Sequence, residues 1–281
     1  METIRRGFRL LGASWEVLKA DRELLWLPVI SFIFILIATF GVGAFAWLVG
    51  GDFTEREQFP QGFDYVWLFA FYFVTYFIGI FFNAAVVGAA TIRLQGGDPT
   101  VGDGMRLAWS KRGKIAGWAA VSATVGIILR SLEERAGFLG RIVIALVGAA
   151  WGAITFFVVP VLLYEPRGVF ESIKRSGNIF KKRWGETFVG AGSIGIAMFL
   201  LMLPVAALAA ALGAAWIPLG VMVGVLGIGL LVAIGSAMSG IFNAALYRYA
   251  TTGETPGSFT EGDLAGSFKH KERRSGLLGG G

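Results

Sequence analysis

The sequence predicts an all-α, polytopic membrane protein. Six transmembrane helices are expected in three parallel hairpin repeats, each introduced by a cytosolic amphipathic interfacial helix. Three observations carry this expectation. The first is composition: 55% of the 281 residues are hydrophobic and only 16% are charged, whereas a soluble globule carries about a quarter charged residues. The second is a set of charge-free runs, Leu24–Gly51 (28 residues), Tyr65–Ile92 (28), Ile115–Leu129 (15), Ile142–Tyr164 (23) and Thr187–Tyr247 (61). About 20 apolar residues rising ~1.5 Å each cross a hydrocarbon core of ~30 Å. The third is an internal echo: Phe82–Asp103 returns as Phe242–Asp263, displaced by 160 residues without a gap and identical at ten of 22 positions. In both copies an apolar run ends, a Gly-containing turn follows, and Thr-x-Gly-Asp stands where a new helix would be capped.

The elements follow in chain order. Residues 2–23 place Ile4, Phe8, Leu11, Trp15 and Leu18 on one helical stripe, with Arg5, Arg6, Arg9, Glu16 and Lys19 on the other faces. Such a basic helix either lies in the membrane interface or packs on the ends of the membrane helices, and both readings can hold. The first span starts near Leu24, and an acidic loop, Asp52–Asp64, leads to an aromatic-rich second span ending near Arg93. Gly96-Gly97-Asp98-Pro99 breaks that helix, and Thr100 with Asp103 can form a capping box for a short amphipathic helix.

The third span, Lys114–Arg130, is short and uses its terminal cations to reach the interfaces. The fourth, Ile142–Tyr164, contains Gly148-x-x-x-Gly152, and Pro160 kinks it or marks its exit from the bilayer. A third amphipathic helix follows Gly168, with Val169, Ile173, Phe180 and Trp184 on one face. The 61-residue run divides at Gly213–Pro218 into the fifth and sixth spans, which are crowded with small residues such as Gly220, Gly224, Ser236, Gly240 and Ala244. Residues 1–250 therefore form one membrane domain, with units of about 1–95, 96–164 and 165–250. Residues 251–281 form a basic Gly/Ser-rich tail, disordered towards its end.

Lys and Arg set the orientation. Of the 25 basic residues only Arg56, Arg130, Arg135 and Arg141 fall on the face opposite the amphipathic helices, giving net charges of about −2 and +8 on the two faces. Both termini are accordingly expected in the cytoplasm.

The residue inventory narrows the chemistry. There is no Cys, and the one His, His270, lies in the tail, so no metal or other cofactor is expected. No nucleophile elbow or phosphate-binding loop is present, and no enzyme activity is expected. Glu165 and Glu171 read as solvated interfacial acids, and no ionisable residue falls inside the spans, which weighs against ion-coupled transport. Two polar candidates stand out. Asn83 and Asn243 recur at the same point of the echo, Asn83 ten residues (~15 Å of helix) before Arg93. As a pair they would form a ligand or gating site, or simply an interhelical hydrogen bond. Arg167, Lys174, Arg175, Lys181, Lys182 and Arg183 would contact anionic lipid head groups, or merely obey the positive-inside rule.

The pattern Pro160…Glu165-x-x-Gly168-x-x-x-Ser172-Ile173-Lys174-Arg175-Ser176 resembles a broad group of uncharacterised bacterial and archaeal six-helix membrane proteins. It is similar, too, to the membrane domain attached to some glycerophosphodiester phosphodiesterases. The resemblance implies a helical prokaryotic membrane domain and carries no catalytic residues over, since the phosphodiesterase activity belongs to a separate soluble domain. The expected function is a non-enzymatic membrane scaffold or accessory protein that organises lipids or partner proteins. Its partners would be membrane lipids, preferably anionic, and a second copy or other membrane proteins, but not nucleic acid. The alternative is a passive or lipid-type transporter with a cavity between the hairpins.

Overall fold

A computed structural model describes residues 2–50, 63–256 and 259. Among them every regular element is a helix: α1 (Glu2–Ala20), α2 (Glu23–Gly50), α3 (Phe63–Leu94), α4 (Val101–Ser110), α5 (Arg112–Arg135), α6 (Phe138–Thr155), α7 (Val158–Tyr164), α8 (Val169–Ala215) and α9 (Ile217–Thr252). Six segments are long and apolar enough to cross a membrane. They are Glu23–Phe45, Val66–Leu94, Arg112–Arg135, Phe138–Tyr164, Gly192–Ala215 and Ile217–Thr252.

The boundaries depart from the sequence reading in three places. The fourth span is not one helix but two, α6 and α7, separated at Phe156 and Phe157. Pro160 is the cause, and the interruption lies a full turn before it, because a proline removes the hydrogen bond to the carbonyl four residues earlier. The basic segment after Gly168 does not stop before the fifth span; both belong to α8, 47 residues or about 70 Å long. In α1 the buried stripe runs through Leu10, Ala13, Ser14, Val17 and Leu18, while Trp15 is exposed and stands beside the Lys19 ammonium, 5.5 Å from its ring centroid. The expected stripe was thus rotated by part of a turn. Packing of α1 against α8 and α9, rather than apolarity alone, chose the inner face.

The core sits where α3 and α9 cross, flanked by α1, α4 and α7. Phe82, Ala84, Ala85, Phe242, Ala244 and Ala245, the start of both copies of the echo, are all buried there. Two glycines permit the approach. A Cβ on Gly104 of α4 would lie 2.5 Å from the Ala85 carbonyl oxygen, and one on Gly240 of α9 would lie 2.5 Å from Val86 Cγ1. Gly152 of the Gly148-x-x-x-Gly152 motif instead faces open space.

Towards the other half of the molecule, α2, α6, the second half of α8 and α9 present apolar flanks. Phe40, Leu139, Leu146, Phe199, Leu226 and other large side chains are more than half exposed. In water such surface would drive aggregation; in a hydrocarbon core it is the expected exterior.

The Thr100 cap forms as expected. Thr100 Oγ1 accepts from Asp103 N–H, and the Asp103 carboxylate accepts from Thr100 N–H and hydroxyl. These bonds, with Arg106 nearby, hold the Asp103 carboxyl below its usual range. Glu23 Oε2 accepts from Val101 N–H at 3.1 Å, tying the start of α4 to the start of α2. The second Thr-x-Gly-Asp, Thr260–Asp263, and most of the acidic loop and the tail lie outside the described residues.

Candidate functional site

Three buried polar residues, Ser172, Ser176 and Asn243, gather around the break between α6 and α7 and the turn that follows it. Breaking a helix inside a membrane leaves carbonyl and N–H groups that lipid cannot satisfy. Pro160 has no N–H to give Phe156 O, and Asn243 Nδ2 of α9 donates to that oxygen at 2.7 Å. Ser176 of α8 stitches the other side: its hydroxyl donates to Ile154 O at 2.6 Å and accepts from Phe157 N–H at 2.9 Å. Two later helices, α8 and α9, therefore close one break.

Eight residues on, Glu165 ends α7 and becomes a hub. Its carboxylate accepts from Arg167, from Arg175 Nε at 3.0 Å and from the Tyr247 hydroxyl at 3.2 Å. Lys114 Nζ, at the start of α5, donates to the Glu165 backbone oxygen at 3.2 Å. The turn itself is capped by Ser172, whose hydroxyl donates to Gly168 O, and by Glu171, which accepts from Gly168 N–H. Burial alone would raise the Glu165 carboxyl. The hydrogen bonds from Arg167, Arg175 and Tyr247 and the Arg175 charge outweigh it and hold the carboxyl below its usual range. Glu165 is therefore a paired, mostly enclosed anion rather than the solvated interfacial acid the sequence implies.

The sequence candidates separate accordingly. Asn243 is 8% exposed and serves the break, while its Oδ1 has no hydrogen-bond partner. Asn83 instead lines a cavity of about 200 Å³ between α2, α3 and α9, with Ser31, Phe32, Phe82, Val86 and Ser236. The two asparagines share a sequence context but not a hydrogen bond through Asn243 Oδ1. Among the cations, Arg167 and Arg175 are engaged by Glu165. Lys174 and Lys181 are exposed, and the side chains of Lys182 and Arg183 lie outside the described residues.

Ser172 and Ser176 are the residues that sequence reasoning passed over. Both lie in the motif that carried the resemblance, and the signal for Ser176 was Pro160 in an apolar run, which guarantees unpaired backbone groups one turn earlier. The whole motif thus acquires one physical role: Pro160 breaks the span, Asn243 and Ser176 repair it, and Glu165 with Arg175 pins the turn onto α8.

This arrangement supplies a rigid elbow that connects four helices.

No curated protein matches the chain. Residues 62–257, a stretch that includes the elbow, the hub and the α3 and α9 walls of the cavity, match the model described as "Family of unknown function (DUF6159)", and the chain belongs to that family.

Proposed function

We propose that the protein is a non-enzymatic membrane scaffold or accessory protein that organises lipids or partner membrane proteins. One observation supports this most directly: several hydroxyl and amide groups within the spans bond to the protein's own backbone. Thr75, Thr124 and Thr155 each donate to the carbonyl four residues earlier, and Asn243 donates to Phe156 O. A transport pathway would leave such groups facing a continuous cavity. The exposed apolar flanks of α2, α6, α8 and α9 suit contact with lipid or with other membrane helices, including a second copy.

In this reading the hairpins are parallel repeats whose α1, α4 and early α8 segments share the cytoplasmic face of a prokaryotic inner membrane. There Lys174, Lys181, Lys182 and Arg183 would meet anionic head groups. The kinship to the membrane domain of some glycerophosphodiester phosphodiesterases belongs to the same proposal, since an elbow of this kind would serve a domain joined to varied partners.

Native mass spectrometry of the detergent-extracted protein tests the scaffold. A discrete oligomer or retained anionic lipid is the expected result, and a lipid-free monomer at all detergent concentrations overturns it. Single cysteines replacing Arg56 and Lys111 test the orientation, because the chain contains no native Cys. Labelling at position 56 but not 111 from outside intact cells is expected.

The second reading, a passive or lipid-type transporter, rests on the cavity beside Asn83. Solute or lipid flux in proteoliposomes that disappears with Asn83→Leu would favour it over the scaffold.

A further inference from the structure

At the far end of the bundle from α4, a second cavity of about 570 Å³ opens between α3, the end of α5 and the start of α6. Its polar lining is made of Tyr72, Tyr76, Arg130, Glu133, Glu134 and Arg141. Arg130 is held in place: Nε donates to Glu134 Oε1 and Nη1 to the Tyr72 hydroxyl, both at 3.0 Å. The Tyr72 and Tyr76 rings stack with centroids 6.2 Å apart. The Glu133 and Arg141 side chains carry no ion pair or hydrogen bond among the described residues.

Arg130 stands 18 residues beyond Arg112, the first residue of α5, a rise of about 27 Å. That is close to the thickness of a hydrocarbon core, so the cavity opens at head-group depth on the membrane face opposite α4. Ile128 of α5 and Val143 and Leu146 of α6 are exposed on the outward faces of the same two helices.

We infer that this cavity binds the head group of a zwitterionic phospholipid carrying a primary amine, of the phosphatidylethanolamine class. The charges match that ligand. Arg130 and Arg141 face a phosphate, for which guanidinium is well shaped. Glu133 and Glu134 accept hydrogen bonds from an ammonium, which a quaternary choline cannot give. Two cations and two carboxylates leave the lining neutral, which matches a zwitterion and gives an anionic head group no net attraction. The head-group depth of the cavity is what distinguishes a lipid from a soluble amine phosphate. This site lies on the face opposite the cationic α8 segment and does not depend on the scaffold reading.

The experiment is native mass spectrometry of the full-length protein in detergent, titrated with phosphatidylethanolamine, phosphatidylcholine and phosphatidylglycerol of identical chains. Wild type is expected to bind the ethanolamine lipid most tightly. Arg141→Gln should weaken that binding about tenfold, as expected for losing one hydrogen bond to a charged group. Glu133→Gln should erase the preference over phosphatidylglycerol. Neither side chain has a hydrogen bond or ion pair among the described residues, so both variants should keep the wild-type thermal transition. Equal binding of the three lipids by wild type, or a preference for choline or glycerol, overturns the assignment whatever the variants do. An ethanolamine preference unaltered in both folded variants overturns it as well.

Discussion

Phe82-Asn83-Ala84-Ala85 and Phe242-Asn243-Ala244-Ala245 are the same four residues on two membrane helices, and they do different work. Both put Phe and Ala into the crossing of α3 and α9, and both are followed by a threonine bonded to the carbonyl four residues earlier: Thr91 to Val87 and Thr251 to Tyr247. The backbone setting is therefore shared. The asparagines diverge because their neighbours do. Asn243 meets a carbonyl that Pro160 has orphaned, whereas Asn83 meets the cavity walls of α2 and α9. Identical local sequence fixes the helix and its buried face, but the partner across the interface decides what a buried amide is for.

The largest effect should come from the asparagine that closes the break. Asn243→Leu leaves Phe156 O unsatisfied in an enclosed site, a cost of about 1–3 kcal/mol, read as a lower thermal midpoint in detergent. The comparison sharpens if the break itself is removed. Pro160→Ala restores an N–H that can reach Phe156 O, so Asn243→Ala should cost less in that background. A double-mutant cycle is expected to give a coupling of about 0.5–3 kcal/mol, and zero coupling would separate the asparagine from the proline.

Next in size is the acid limb of stability. Ion pairing and hydrogen bonding depress the Glu165 carboxyl, so over the acid range the native state binds fewer protons than the unfolded chain. The contribution is complete above the unfolded carboxyl value of about 4.3 and is lost progressively as pH falls from there through the lower folded-state value. Glu165→Gln should flatten that limb while leaving the slope between pH 6 and 8 unchanged. Smallest of all, Asn83→Ala should shift the thermal midpoint by the equivalent of less than about 0.5 kcal/mol. A loss as large as that of Asn243→Leu would mean that the two copies are equivalent after all.

Much of the fold was legible because charge-free length is a one-dimensional property. The runs containing Leu24–Gly51, Tyr65–Ile92 and Ile142–Tyr164 fall on α2, α3 and α6–α7 with little adjustment. The Thr100–Asp103 cap was legible for the same reason, since its bonds close within four residues. The site was only half legible. Pro160 announced an interruption, but nothing local says that Ser176 and Asn243, 16 and 83 residues later, would mend it. Nor does residue type tell Arg175, captured by Glu165, from Lys174 beside it, which remains exposed.

By itself the sequence determined that this chain is built of membrane-length helices, where most of them begin and end, and that Pro160 would kink one of them or mark its exit from the bilayer. Hydropathy, proline geometry and capping act within a few residues or along one helix, so they can be read from order alone. Only the tertiary structure decided which asparagine was recruited to the break, which face of α1 turned inward and which cations the Glu165 carboxylate captured. Those outcomes are set by what stands across an interface, and the hydrogen-bond needs of a backbone shielded from water must be met by whichever side chain the packing brings there.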